Sequence, residues 1–339
     1  MHIKRVLLLA LLLVCPKTVF CTPEGPYTLR VALGHNPRSS WVKACWRFEE
    51  EVERESQGRM AVEVFHSGQL GSTRQVLELV YLNAIEAAVP GAAQVEAYVK
   101  ELGVVVLPFL WQNEEDLFAA LDGSLGQTLE HHLNQRNFHA LTWFANGFRC
   151  VTNSRQPIQS VTDMAGLKIR VIPSPVVMEY FEAIDASPVH VDWVELYEAL
   201  KLGVVDAQEN PPFFVYLGRM YEVQRYYSLT EHMNEPGIIV LNKRFYDRLP
   251  SDLQSLVDGA ALRAAQWQRL EMQKDNAEML AAIKDSGKTQ INTLSEQARA
   301  EFRRIAREEV YPRVIEHKLC GPSTEELIDL ALSFQEGRP

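Results

Sequence analysis

Five cysteines in 339 residues, at positions 15, 21, 45, 150 and 320, are too few and too scattered for a disulfide framework. None falls in a Cys-x-x-Cys pair, so the spacing that zinc or a dithiol centre needs is missing. Other signatures of chemistry are missing as well. There is no His-Glu-x-x-His, no Gly-x-Ser-x-Gly, no phosphate-binding GxxxxGK and no GxGxxG after a strand. A basic surplus is absent: 34 Lys and Arg face 44 Asp and Glu, a net charge of −10. That balance argues against a nucleic-acid binder, which needs a basic face to displace counterions. A small anionic ligand stays open, because one arginine at contact distance outweighs a diffuse field. The histidine cluster, His131, His132 and His139 in "EHHLNQRNFH", reads as a solvated face, since adjacent helical residues point apart. No nucleophile with a base, no metal set and no cofactor motif remains, which disfavours an enzyme.

What is present begins with a leader. Lys4 and Arg5 precede an apolar run from Val6 to Val14, too short to span a bilayer and of the length of a secretory signal core. We expect a signal peptide over residues 1–21 and a periplasmic mature protein. Cys15 and Cys21 are the two candidate sites of a lipid anchor, although Val14 and Phe20 stand where a small residue is normally wanted. No later segment is long and apolar enough to cross a membrane. With 47% hydrophobic residues the chain can bury full cores, and its length suggests two domains.

The pattern that follows alternates strands and helices. "YTLRVALGH" and "RMAVEVFH" read as strands, and "SSWVKACWRFEEEVERES" and "STRQVLELVYLN" as serine-capped amphipathic helices. "AIEAAVPG" completes a βαβαβ unit. The rhythm returns with the strand "KIRVI", the helix "PVVMEYFEAI", the strand "VHV", a helix opened by Asp192 and Glu195 as a capping box, and the strand "VVDAQ". Two such halves predict an α/β protein of two lobes, each a mostly parallel sheet flanked by helices, with a cleft between. The helical stretch from Ser251 to near Gly287 is long enough to span both lobes. The expected division is 25–146 plus 236–274 for the first lobe and 147–235 plus 275–335 for the second.

Open α/β sheets bind ligands outside the carboxyl ends of their strands. Arg170 stands there in "GLKIRVIPSP", just before a helix that Ser174 caps and Pro175 begins. A strand charge also commonly faces water, so Arg170 alone is ambiguous. Arg149 in "GFRCVTNS", Asn210 in "QENPP" and Trp193 after "VHVD" add a second guanidinium, an amide and an aromatic face. Together they suit a carboxylate on an organic body.

"GLKIRV", "WVELYEALKLGVVDAQENP", "GFRCVTNS", "VEVFHSGQLGSTRQVLELV" and "IIVLNKRFYDRLPSDLQ" resemble, in order and spacing, the substrate-binding subunits of tripartite ATP-independent periplasmic (TRAP) transporters. The resemblance implies two lobes that close on an organic acid and deliver it to a membrane permease. An accessory periplasmic protein is a further partner to consider, and nucleic acid is not. It also implies ligand roles for Arg170, Arg149, Asn210 and Trp193, and contributions from His35, Asn36 and Thr73 in the opposite lobe. Thr73 replaces a common acidic residue and Ala207 a common glycine. The aromatics Phe109, Trp111, Trp143, Phe144, Trp193, Phe213 and Phe214 suggest a less polar ligand than a small dicarboxylate, although at least half are expected to be core. The alternative is a scaffold of the same fold that binds a hydrophobic or lipid-like ligand and acts through protein partners.

Overall fold

A computed structural model of the chain describes residues 27–336. The expected leader, with Cys15 and Cys21, lies outside them. The strands, in chain order, are β1 (Tyr27–Ala32), β2 (Met60–Phe65), β3 (Ala87–Ala88) and β4 (Phe138–Phe144). They continue with β5 (Phe148–Asn153), β6 (Lys168–Val171), β7 (Ser187–His190) and β8 (Ala207–Asn210). Last come β9 (Tyr226–Asn234), β10 (Gly237–Asn242) and β11 (Gln290–Thr293). One sheet has the order β2-β1-β3-β10-β4 and the other β11-β9-β5-β8-β6-β7. Each sheet is the base of one lobe.

The βαβαβ units supply the parallel part of each sheet. β1 runs parallel to β2 and β3, and β6 parallel to β7 and β8. β10 pairs antiparallel with β3 and β4, and β5 antiparallel with β8 and β9. Both sheets are therefore mixed, because strands that arrive from the other lobe enter beside the parallel unit in the reverse sense.

Local sequence explains the elements that frame the cleft. Ser39 caps the Ser40–Glu55 helix by accepting from the Trp41 N–H. Its buried face carries Trp41, Ala44, Cys45, Phe48 and Val52, three, four and seven residues apart. Ser72 and Gln75 form a reciprocal capping box at the Thr73–Tyr81 helix. Asp192 holds the N-cap position of the Trp193–Lys201 helix but its side chain makes no cap bond, so the expected capping box does not form. Its carboxylate lies 3.3 Å from His190 instead.

The Ser251–Asp285 helix has 35 residues and at ~1.5 Å per residue runs about 50 Å. It packs on the Ser40–Glu55 helix and β4 in one lobe and on the Pro212–Leu217 helix in the other. The strand connections between the lobes are Ala145–Gly147 and Glu235–Pro236. The first is clamped to the long helix. Gln268 accepts from the Ala145 N–H and donates to its carbonyl, and Asn276 donates to the Asn146 carbonyl. The last helix, Thr324–Glu336, returns to pack on 100–106, 114–121 and 124–135. Cys45, Cys150 and Cys320 are free and buried.

Candidate functional site

Arg170 is the penultimate residue of the short strand β6, near its carboxyl end, and is 5% exposed, whereas Lys168 on the same strand face is solvated. Its Nε donates to the Val191 carbonyl at 2.9 Å. The two terminal amino groups make no hydrogen bond or ion pair with any described residue. Burial, with the like charge of Arg149 adding to it and Glu209 and Glu235 opposing, brings its pKa down to about 10. The side chain is thus charged at neutral pH, removed from water and only partly bonded. Such a group can take a carboxylate through two parallel hydrogen bonds.

Arg149 is a different case. Nε and Nη2 grip the Glu209 carboxylate, Nη2 also donates to the Glu209 carbonyl at 2.7 Å, and Nη1 donates to Glu235 at 2.9 Å. Four of its five N–H groups are engaged inside the protein. His232 lies 3.7 Å from the same Glu209 carboxylate. Burial alone would push Glu209 up, but Arg149 and His232 overcome it and hold the carboxyl at about 2. Glu235 goes the other way. Burial raises it to about 7 against the pull of Arg149, with Glu209 adding repulsion. Its second oxygen has no hydrogen-bond partner and lies where a Cβ on Gly91 would come within 2.5 Å.

Asn210 is buried beside this network. It donates to Gln208 at 2.5 Å, Gln208 donates to Thr152 at 2.8 Å, and Thr152 donates to Gln224 at 3.0 Å. Trp193 is 41% exposed, two residues beyond the carbonyl that holds Arg170. Its ring meets Phe214 edge-on at 6.0 Å. In the first lobe, His35 is half-buried between Trp41 at 4.3 Å and Phe214 at 5.3 Å, with Nδ1 enclosed and unpartnered. Burial lowers its pKa to about 4, so the ring is neutral near pH 7. Thr73 is half-buried with its hydroxyl against Gly34, next to His35. Asn36 is exposed and accepts from the Arg38 N–H in a local turn.

The structure thus connects Arg149 with Arg170 through Glu209 and Glu235, and links Trp193 to His35 through Phe214. Among the other aromatics singled out in the sequence, Phe109, Trp111, Trp143, Phe144 and Phe213 are buried core. Glu209, Glu235 and His232 were not expected at the site. The signal for Glu209 was an acid between the two amides of "QEN", inside a strand that is buried throughout. Glu235 and His232 carry no comparable pattern. Among the described residues no cluster of His, Cys, Asp or Glu could hold a metal ion, and no helix is long and apolar enough to cross a membrane. A separate groove of about 770 Å³ runs along the long helix between Glu114 and Arg303; Phe109 and Trp111 line it, but Arg170, Arg149, Asn210, Trp193, His35, Asn36 and Thr73 do not.

Comparison with known proteins gives the same assignment. A solute-binding protein of Verminephrobacter eiseniae is 30% identical over 274 residues, covering 80% of this chain and 82% of the relative. A TRAP periplasmic solute-binding protein from Sulfurospirillum deleyianum, solved with succinate, superposes with a TM-score of 0.82 at 29% identity, over 93% of this chain and all of that one. Another, from a Sulfitobacter species and solved with β-D-galacturonate, gives 0.85 at 26% identity, over 90% and 99%. The model of the bacterial extracellular solute-binding protein family 7 matches residues 32–317, and the chain belongs to that family, the solute-binding components of TRAP transport.

Proposed function

We propose that this protein is the extracytoplasmic capture subunit of a TRAP transporter and holds the carboxylate of an organic ligand against Arg170 in the cleft between its lobes. The observation that carries the reading is the state of Arg170: buried, charged and with both terminal amino groups unpaired. Leaving a buried guanidinium half-bonded costs stability, and an anionic ligand removes that cost. The solved relatives with succinate and galacturonate bind acids of this type. Asn210 and Trp193 flank the ligand from the second lobe, and His35, Asn36 and Thr73 meet it from the first. Arg149 works mainly through Glu209 and Glu235, fixing the strand ends around Arg170.

In this reading the lobes comprise 25–146 with 236–274 and 147–235 with 275–335, and they close by hinging at the two strand connections. The leader is removed on export, with or without a lipid on Cys15 or Cys21, and the loaded protein docks on integral-membrane permease subunits in the periplasm. The cleft binds and releases its ligand without altering it.

The test is native mass spectrometry of the purified protein to identify a retained molecule, followed by calorimetric titration of the stripped protein with it. A carboxylate whose binding is lost in Arg170→Ala supports the proposal. A retained lipid or neutral molecule, indifferent to Arg170→Ala, favours the hydrophobic-ligand scaffold instead.

A further inference from the structure

We infer that the ligand is a monocarboxylate whose remaining body is flat, aromatic and uncharged; this rests on the reading of Arg170 as the carboxylate anchor. Two observations point to it.

The first is a count of uncommitted positive charge. Of the two buried guanidiniums at the site, Arg170 offers two free amino groups, enough for one carboxylate, while Arg149 has four of its five N–H groups engaged. A second carboxylate at the far end would meet the first lobe, where His35 is neutral and Thr73 brings only a hydroxyl. Arg74 and Arg38 both stand in solvent. An unpaired carboxylate in a closed cleft loses its hydration without return.

The second is the wall. Trp193, Phe214, His35 and Trp41 form one run of ring contacts, at 6.0, 5.3 and 4.3 Å, from the residue next to the Arg170 loop into the opposite lobe. Trp41 backs the run, its indole N–H fixed on the Ala145 carbonyl at 2.8 Å, and Trp193 at the other end is 41% exposed. Edge-to-face and offset contacts of this kind favour another aromatic ring. The hydroxyls of a sugar acid would each need a partner on burial, and this wall of rings offers few, the His35 Nδ1 being itself enclosed.

The experiment is calorimetric titration of the protein, stripped of retained ligand by unfolding and refolding, with benzoate, phenylacetate, 4-hydroxyphenylacetate, succinate, galacturonate and the neutral isostere phenylacetamide. We expect one aromatic acid to bind at least about tenfold more tightly than succinate, galacturonate or phenylacetamide, a difference such titrations resolve readily. Trp193→Ala should weaken that acid by about fivefold or more without lowering the melting temperature of the free protein, as loss of a ring contact predicts. Succinate or galacturonate binding as well as the best aromatic acid, still dependent on Arg170, would overturn the ligand class and leave the carboxylate anchor standing. Phenylacetamide matching phenylacetate, binding unchanged in Arg170→Ala, or no binding of any acid would remove both.

Discussion

Arg170 and Lys168 share one face of a four-residue strand, and only one of them is covered. Periodicity gives the two residues the same face; what separates them is that β6 ends at a cleft. Arg170→Ala is expected to cost about 2–5 kcal/mol of carboxylate binding, roughly thirty-fold to several-thousand-fold in affinity. Arg170→Lys should lose part of that, since an ammonium keeps the charge but not the two-pronged geometry. Lys168→Ala should bind as wild type; a comparable loss there would show that a general field, not a site, attracts the anion. Glu209 supports a second prediction. Removing one member of a buried, bonded ion pair leaves the other uncompensated, so Glu209→Gln should lower folding stability by about 3–5 kcal/mol in denaturant titration. Its carboxyl is held at about 2, below the unfolded value near 4.5, so its contribution is complete above about pH 4.5 and is lost as pH falls towards 2.

Elements were legible where one residue type fixes one geometry. Serine at 39, 72 and 174 caps the helices that follow, and Gly203 and Gly287, at φ of +69° and +64°, close the helices before them. The strand expected over "VVDAQ" moves to Ala207–Asn210 because the turn after Gly203 uses residues up to Asp206. β9 has no clean apolar alternation in sequence; Ser228, Thr230, His232 and Asn234 are all buried, Thr230 and His232 bonded to each other along the strand, and Ser228 and Asn234 bonded to the distant Ile158 N–H and Glu114. Gly237 opens β10 where a Cβ would fall inside the Trp41 ring. Gly237→Ala should therefore overpack the core under the His35 contact and cost about 1–3 kcal/mol in thermal or denaturant melts. A neutral result would mean that Trp41 can move, and that the aromatic wall is softer than it looks.

The molecule as a whole joins two sheets through two strand connections and one long helix, and charge is concentrated where they meet. Glu235, at the second connection, faces Arg149, Glu209 and Arg170, and burial keeps it near 7. Near neutral pH it is the group of this cluster that changes charge, since Glu209 titrates near 2 and burial lowers His232 from its ordinary value, keeping the ring neutral there. Protonating Glu235 removes a negative charge beside Arg170, so carboxylate affinity should rise as pH falls from 8 to 6, by no more than about tenfold per pH unit for one proton. Glu235→Gln should flatten that dependence in titrations at the two pH values. The folded-state shift is upward, so the matching stability term is present below about pH 4.5 and lost as pH rises through 7. Ligand that contacts both lobes should also bias the pair towards closure. Small-angle scattering should show a smaller radius of gyration at saturation, and an unchanged profile would count against hinging.

Much of the architecture followed from short-range rules. Apolar period marked the helices, serine caps and glycines set their ends, and repeated βαβαβ order implied two sheets with strand ends facing a cleft. Arg170, Asn210 and Trp193 could be singled out because each falls where a strand ends or a helix begins. Short-range pattern could not say which charges are free. Arg149 and Arg170 look equivalent in sequence, yet Glu209, sixty positions from Arg149, and Glu235 consume one guanidinium and leave the other open. The ring contact between His35 and Phe214 likewise joins residues from opposite lobes. Partner choice and burial depend on contacts between distant segments, and those exist only once the two sheets are assembled around the long helix.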